Sequence, residues 1–481
     1  MHSQRSWSGR VLETLLRDPQ APAIISSPDR CTWTAATLLG MAAGAIELLD
    51  AHGAAPGQYV PALLSTRPAS VAMLLAGAWS RRPLAPLGPH MTERELLGCL
   101  ESLDGGLLVA EPEWADKAGH LAAKTGRRVA ILDQLAPGAD PCSLRGEPAV
   151  AFMMHTSGTT GAPKQVLVRE AALARRAEVN GALLQLGPGA RLAIGGLFHH
   201  VAGLGNIAVA LANQTALVMY PSFSVAAWRD LDAVAPTHTV TVPSVIETLL
   251  DADALRLPTL KVLGYGGSPI RPDTMRRIHH VMPDVALVEL FGQTEGSPLT
   301  VLSHDDHRAA LGGREELLRS VGRAAPGVEL RIDNPGPDGV GEVWARCGHS
   351  FVVDAEGWQH TGDLGRLVDG YLYLVGRQGD KIIRGGENVF PVEVEHILQS
   401  HPGVAEAAVV GVPDQRLGET IRACIVAVDP ASPPSVDELR AYCRERLAGF
   451  KVPAQWTFTN ALPRNAAGKI LRRELVSAVK E

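Results

Sequence analysis

Apolar positions recur in two rhythms along the 481 residues. Up to about residue 148, Ala/Leu-rich runs of helical length alternate with short β-prone runs. Residues 34–49 and 71–79 read as helices, 59–64 as a strand and 84–86 as a short extended piece. Strands alternating with helices point to a largely parallel α/β sheet. The apolar run 149–154 predicts a strand, and 166–168 a second β-prone piece; between them, 155–164 holds no hydrophobic side chain larger than alanine or proline. Residues 169–184 carry an amphipathic helical pattern. A β-branched strand over 237–242 leads into Pro243, which suits the first turn of a helix over 244–250 because its missing N–H would have no partner there. Strands at 260–263 and 285–290 each run into a glycine-rich segment. Later, 369–376 reads as a hairpin, 391–398 as a helix with Pro391 in its first turn, and 407–412 and 421–428 as strands. Ser435 and Glu438 form a capping box that opens a helix to about residue 447.

The length suggests roughly three domain-sized units. Hydrophobic residues make up 46% and charged residues 20%, ordinary for a soluble globular chain. A net charge of -6 gives no footprint for nucleic acid. The first ten residues lack an apolar segment behind their basic ones, so no secretory signal is expected. No run approaches the ~20 apolar residues of a membrane span. The six cysteines are scattered without a Cys-x-x-Cys pair, which argues against a zinc site or disulfide framework and for a reduced, cytoplasmic compartment. Abundant Ala, Arg, Gly and Pro with sparse Lys suggest a GC-rich bacterial genome.

Candidate chemistry begins at Thr156-Ser157-Gly158-Thr159-Thr160-Gly161-Ala162-Pro163-Lys164. Glycines let the backbone wrap an anion, hydroxyls and N–H groups donate to phosphate oxygens, and Lys164 adds a charge. A polar linker is the plain alternative. The common P-loop is excluded, since Lys164 stands three residues past Gly161 and is followed by Gln165. The pair His199-His200 lies in Leu197-Phe198-His199-His200-Val201-Ala202-Gly203-Leu204, and such pairs are usually structural. Gly203 to Ala208 matches the dinucleotide fingerprint G-x-G-x-x-A, but 217–221 supplies no acidic residue, which excludes a dehydrogenase reading. Two strands end in the loops Gly264-Tyr265-Gly266-Gly267-Ser268-Pro269 and Phe291-Gly292-Gln293-Thr294-Glu295-Gly296; in an open parallel sheet, ligands sit beyond such carboxyl ends.

Together with His360-Thr361-Gly362-Asp363-Leu364-Gly365, Arg384-Gly385-Gly386-Glu387-Asn388 and Leu462-Pro463-Arg464-Asn465-Ala466-Ala467-Gly468-Lys469-Ile470, these segments resemble the motifs of the acyl-adenylate-forming superfamily. That superfamily comprises acyl-CoA synthetases, adenylation domains and luciferases, and the resemblance is nearest to acyl-CoA ligases. Four positions depart from its pattern: Gln165 replaces a usual Gly, His199 a frequent Phe, Phe291 a Tyr, and Gly379 the Asp or Lys of the hinge. The resemblance implies an α/β fold: a large N-terminal domain (1–378) of parallel-rich sheets with flanking helices and a small β-subdomain, then a small mobile C-terminal α+β domain (379–481). By the same resemblance, Thr156, Ser157, Gly158, Thr159, Thr160, Gly161 and Lys164 hold ATP phosphates. Gly266, Gly267, Ser268 and Phe291 flank the adenine, with Gly292 and Gln293 beside them. Thr294 contacts the α-phosphate and Glu295 holds Mg²⁺. Asp363 and Arg377 bind the ribose, and His200, Gly267 and Gly292 line the acyl pocket. Gly379 is the hinge, Arg384, Gly385 and Gly386 open a CoA channel, and Lys469 is the catalytic lysine, acting with Thr294, Glu295 and His200.

The implied activity is ATP-dependent conversion of a carboxylic acid to acyl-AMP with release of pyrophosphate, followed by transfer to the thiol of CoA. The alternatives are a free-standing carrier protein or a nitrogen nucleophile as acceptor, or a non-catalytic adenylate binder. The sequence ends soon after Lys469, so the acceptor is expected to arrive in trans. No charged residue in the motifs identifies a partner group on the acid.

Overall fold

The computed structural model describes residues 6–477, apart from 28, 134, 136, 139–148, 158–162, 221, 269 and 465–469. The chain divides into two compact units: Met1–Glu329 with Arg346–Gln359, and Leu330–Ala345 with His360–Glu481.

The first unit is built on two sheets. One has the strand order Arg128–Ile131, Leu107–Ala110, Val60–Leu63, Leu84–Leu87, Val150–Ser157, Pro163–Arg169, parallel except for the closing hairpin. The other runs Pro22–Ser26, Ala216–Met219, Arg191–Ile194, His238–Thr241, Val262–Gly266, Ala286–Gln293, all parallel. Antiparallel strands close its two ends, Thr32–Thr34 at one and Gly296–Leu302 with Arg323–Ala324 at the other. The expected α/β class is thus observed.

The helices follow from their sequences. Thr34 caps the helix Ala35–Ala51 by accepting the N–H of Thr37 at 3.2 Å. Pro68–Trp79 is apolar all round and buried from Ser70 to Trp79, so no single face could have marked its orientation. The N-terminal helix Trp7–Arg17 and the strand Pro22–Ser26 went unread in the sequence. Two tryptophans fix that helix: Trp7 Nε1 donates to Ala208 O at 2.8 Å, and Trp79 Nε1 to Ser8 O at 3.1 Å. The segment with the dinucleotide-like glycines is a π-turn, Val201–Gly205, running into the helix Asn206–Ala212. It is not the strand-to-helix turn that fingerprint demands.

In the second unit, strands Glu329–Asp333, Gly341–Arg346, Gln359–Val368 and Tyr371–Arg377 neighbour one another in that order. A further sheet pairs Glu387–Val389, Ile382–Arg384, Gly418–Ala427 and Val404–Asp414, with Gln455–Phe458 against Gly418–Ala427. Helices Pro391–Gln399 and Val436–Arg444 share its apolar core through Val394, Leu398 and Leu439. The capping box at Ser435 and Glu438 is present. Gly379 lies in a short 3-10 turn, Gln378–Asp380, inside this unit.

Candidate functional site

The hydroxyl-rich stretch begins and ends on two paired strands. Val150–Ser157 pairs with Pro163–Arg169 in the register Thr156↔Lys164 and Ser157↔Pro163. Thr156 and Lys164 therefore belong to strands, and 158–162 lies outside the described residues. Strand pairing runs three residues further than the apolar pattern suggested, because ladder hydrogen bonds use backbone and ignore polar side chains. Gln165 has a local role: its amide donates to the carbonyl and the hydroxyl oxygen of Ser102, both at 2.9 Å, tying the hairpin to the end of the helix Glu93–Glu101.

The second loop is a hairpin. Ala286–Gln293 pairs with Gly296–Leu302, so Phe291, Gly292 and Gln293 lie on the strand, and Thr294-Glu295 is the turn at its carboxyl end. Lys164 Nζ stands 3.5 Å from Glu295 Oε1, with the lysine half-exposed and the glutamate mostly covered. Two segments more than a hundred residues apart thus present opposite charges to each other. Beside this turn, Gly266 closes the strand Val262–Gly266, and a Cβ there would meet Leu290 O at 2.3 Å. Gly267 follows with φ +85, a left-handed backbone that glycine adopts without strain.

Below these loops runs a buried chain of polar groups. The Tyr265 hydroxyl is 3.2 Å from Glu289 Oε2 and 2.8 Å from His307 Nε2, and His307 Nδ1 is 2.6 Å from Ser303 O. A carbonyl only accepts, so Nδ1 carries hydrogen; burial holds His307 down at about 4, leaving Nε2 a bare acceptor. Tyr265 must then donate to His307, and its oxygen accepts from a protonated Glu289. Burial pushes Glu289 up to about 8, in agreement with that assignment.

His199 is half-buried, driven down to about 3 mainly by burial and then by His200 and His90, and it packs against Gly88, where a Cβ would meet Nε2 at 2.7 Å. His200 is half-buried at the start of the π-turn, its ring 4.6 Å from that of His199. The sequence missed Arg176, on the helix Glu170–Leu183. It is only 5% exposed, its Nε is sealed without a hydrogen-bond partner, and burial lowers it to about 10.

In the second unit, Asp363 and Arg377 are cross-strand partners, and Arg377 Nε donates to Asp363 Oδ1 at 2.9 Å. The two expected ribose contacts therefore form one ion pair, with Asp363 buried and Arg377 exposed. Asp369 and Gly370, both at positive φ, make the tight turn of that hairpin. Gly385 and Gly386 likewise form a two-residue turn, at φ +60 and +89, between Ile382–Arg384 and Glu387–Val389. Turn geometry alone accounts for that glycine pair. Arg384 donates from Nη1 to Phe450 O. Lys469 lies outside the described residues. The ends of its segment are fixed by a bridge between Arg464 and Ile470, and by Arg472, which pairs with Glu395 and donates to Val409 O at 2.8 Å.

For Mg²⁺ the described residues of these loops offer one carboxylate, Glu295. Among the described residues no group of three His, Cys, Asp or Glu could hold a metal ion. Glu295 is a single carboxylate, which suits an ion bound mostly by substrate phosphates and water rather than by a protein cage.

Lys164 and Glu295 thus face each other beside glycine turns at the carboxyl ends of parallel strands, where open sheets bind ligands. The chain belongs to the AMP-binding enzyme family, which it matches over residues 12–351, with the C-terminal domain of AMP-binding enzymes matched over 393–469. It is 32% identical over 466 residues to a fatty acid–[acyl-carrier-protein] ligase of Streptomyces coeruleorubidus, covering 89% of this chain and 88% of that protein. It is 32% identical over 447 residues to a feruloyl-CoA synthase of an Amycolatopsis species, covering 89% of this chain and 90% of that one. Its fold is similar to the solved amide bond synthetase McbA from Marinactinospora thermotolerans, with a TM-score of 0.86 at 27% identity, over 98% and 99% of the two chains. Among the described residues no helix is long and apolar enough to cross a membrane.

Proposed function

We propose that this chain activates a carboxylic acid with ATP, forming acyl-AMP and pyrophosphate, and then transfers the acyl group to the thiol of CoA. The Lys164–Glu295 pair carries the proposal, because it joins the two loops whose sequences fit the phosphates of ATP. The chemical difficulty is an anionic carboxylate approaching a polyanion. Lys164, the Thr156 to Gly161 segment, Thr294 and Lys469 would gather positive charge and donors around the α-phosphorus, which is where such a reaction is stabilised. The acid needs no general base, since it is already ionised at neutral pH. Bound with the nucleotide, Mg²⁺ would be held by Glu295 and would neutralise phosphate charge.

Asp363 would accept from both ribose hydroxyls, oriented by Arg377. Phe291, Gly266, Gly267, Ser268, Gly292 and Gln293 would border the adenine, and His200, Gly267 and Gly292 the acyl group. After adenylation, residues 379–481 would turn about Gly379, withdrawing Lys469 and presenting Arg384, Gly385 and Gly386 to the incoming thiol. A reduced cytoplasm suits this chemistry, and the described cysteines are free thiols.

Similarity to a CoA synthase supports CoA, while similarity to a carrier-protein ligase and an amide bond synthetase supports the two other acceptors. The test has two stages. ATP–pyrophosphate exchange over aliphatic, aryl and amino acids should find the activated acid, and an absence of exchange with all of them would overturn adenylation. The preferred acid is then offered CoA, a carrier protein or simple amines, with products read by mass spectrometry. Acyl-AMP that persists with CoA but is consumed by another acceptor would reject the thiol assignment.

A further inference from the structure

Among the described residues, the buried Arg176 has no counter-charge. Burial is the cause of its lowered pKa, no ion pair joins it among the described residues, and its Nε is sealed without a partner. It still keeps its proton at neutral pH. An unpaired buried guanidinium costs several kcal/mol, so proteins keep one where an anion compensates it.

Its surroundings locate that anion. The helix Glu170–Leu183 packs against the helix Asn206–Ala212 and the strand Gly296–Leu302. On one side, Nη2 lies 3.0 Å and Cζ 3.3 Å from where a Cβ on Gly205 would sit, so the missing side chain at the end of the His200 segment makes room for the guanidinium. On the other side is His349, kept neutral first by burial and also by the nearby Arg176 charge; its Nε2 is 2.7 Å from Pro298 O, three residues past Glu295. Arg176 therefore stands between the end of the His200 segment, which the proposed function puts at the acyl group, and His349, whose partner Pro298 lies on the chain leaving Glu295.

We propose that Arg176 binds a second carboxylate on the substrate, and that the acid activated is a dicarboxylic acid with one carboxylate held at Arg176 and the other presented to ATP. This rests on the adenylation reading above. A guanidinium fork matches a carboxylate in two parallel hydrogen bonds, which selects for the anion and fixes its orientation.

The test pairs each of several dicarboxylic acids with the monocarboxylic acid of equal chain length in ATP–pyrophosphate exchange, using wild type, Arg176→Met and Arg176→Lys. Wild type should favour the dicarboxylates in kcat/KM. Arg176→Met, which keeps the apolar stem, should lower the dicarboxylate-to-monocarboxylate ratio about 10²-fold, the loss expected when one side of a buried charge pair is removed. Arg176→Lys should fall in between, keeping charge without the fork. Wild type preferring the monocarboxylates, or a ratio unmoved by Arg176→Met, overturns the proposal. If Arg176→Met does not fold, the wild-type preference decides alone. Thermal shift with the same acids, without ATP, separates the two readings. Stabilisation by dicarboxylates alone, weakened in Arg176→Lys, supports the anion site even where no acid gives exchange. No exchange and no shift overturn both.

Discussion

Among single side chains, legibility followed local context. Lys469 was singled out because the motif that carries it lies in neighbours, Pro463 and Gly468, at fixed spacing. Arg176 was not: it sits beside Arg175 in a helix, and arginines there ordinarily mark the solvent face. Its burial comes with packing against 201–205, 25 to 29 residues further along the chain, which no helical period encodes. Lys469→Ala is expected to retain ATP binding while adenylation falls by ~10²–10³, the usual loss for one donor aimed at transition-state charge. Pyrophosphate exchange near the wild-type rate would remove Lys469 from the reaction.

Strands and turns were placed well but cut short. The apolar run ended at Met154 and the strand continues to Ser157; the run ended at Leu290 and the strand continues to Gln293. In both cases the residues past the apolar run, 155–157 and 291–293, are held by the ladder. The order of parallel strands and the chain Glu289–Tyr265–His307 were invisible, since pairing joins residues distant in sequence. That chain has a pH consequence. Glu289 has an ordinary value of 4.5 and is raised to about 8 in the fold, so the folded protein binds a proton that the unfolded chain releases between those values. Stability from this group is complete below about 4.5 and is lost as pH rises toward 8. Glu289→Gln, which still donates to Tyr265, should flatten this fall and raise the apparent Tm at pH 8 by about 2 °C or more. Parallel Tm–pH profiles for the two proteins would show that Glu289 is ionised in the fold.

For the molecule entire, the α/β class was evident from alternating rhythms, and the small C-terminal α+β unit was implied by the family resemblance. The compact-unit boundary was not evident, because 330–345 clusters with the C-terminal residues through sheet contacts made only after the chain has folded back. The hinge proposed at Gly379 can be tested directly. A Cβ there meets nothing within 4 Å, so substitution causes no clash. Gly379→Pro fixes one torsion. If rotation about this point separates the half-reactions, pyrophosphate exchange should stay within about twofold while thioester formation slows about tenfold, as expected of a gating step. Equal loss in both steps, measured by single-turnover kinetics, would place the pivot elsewhere.

If the nucleotide binds as proposed, the facing charges of Lys164 and Glu295 make its capture an exchange of partners. Each side chain stands in for what the other would meet: the carboxylate resembles a phosphate to the lysine, and the ammonium resembles a metal ion to the glutamate. MgATP would insert between them and return to each a charge of the sign it gave up, so the protein's net electrostatic outlay is small and little counter-ion is released. Glu295→Gln breaks this symmetry. The lysine is left unopposed, and the variant should bind metal-free ATP more tightly than wild type while its response to added Mg²⁺ flattens and acyl-AMP formation slows. Calorimetric titration with and without Mg²⁺ reads both effects, and unchanged affinities would mean that the pair yields no ground to the nucleotide.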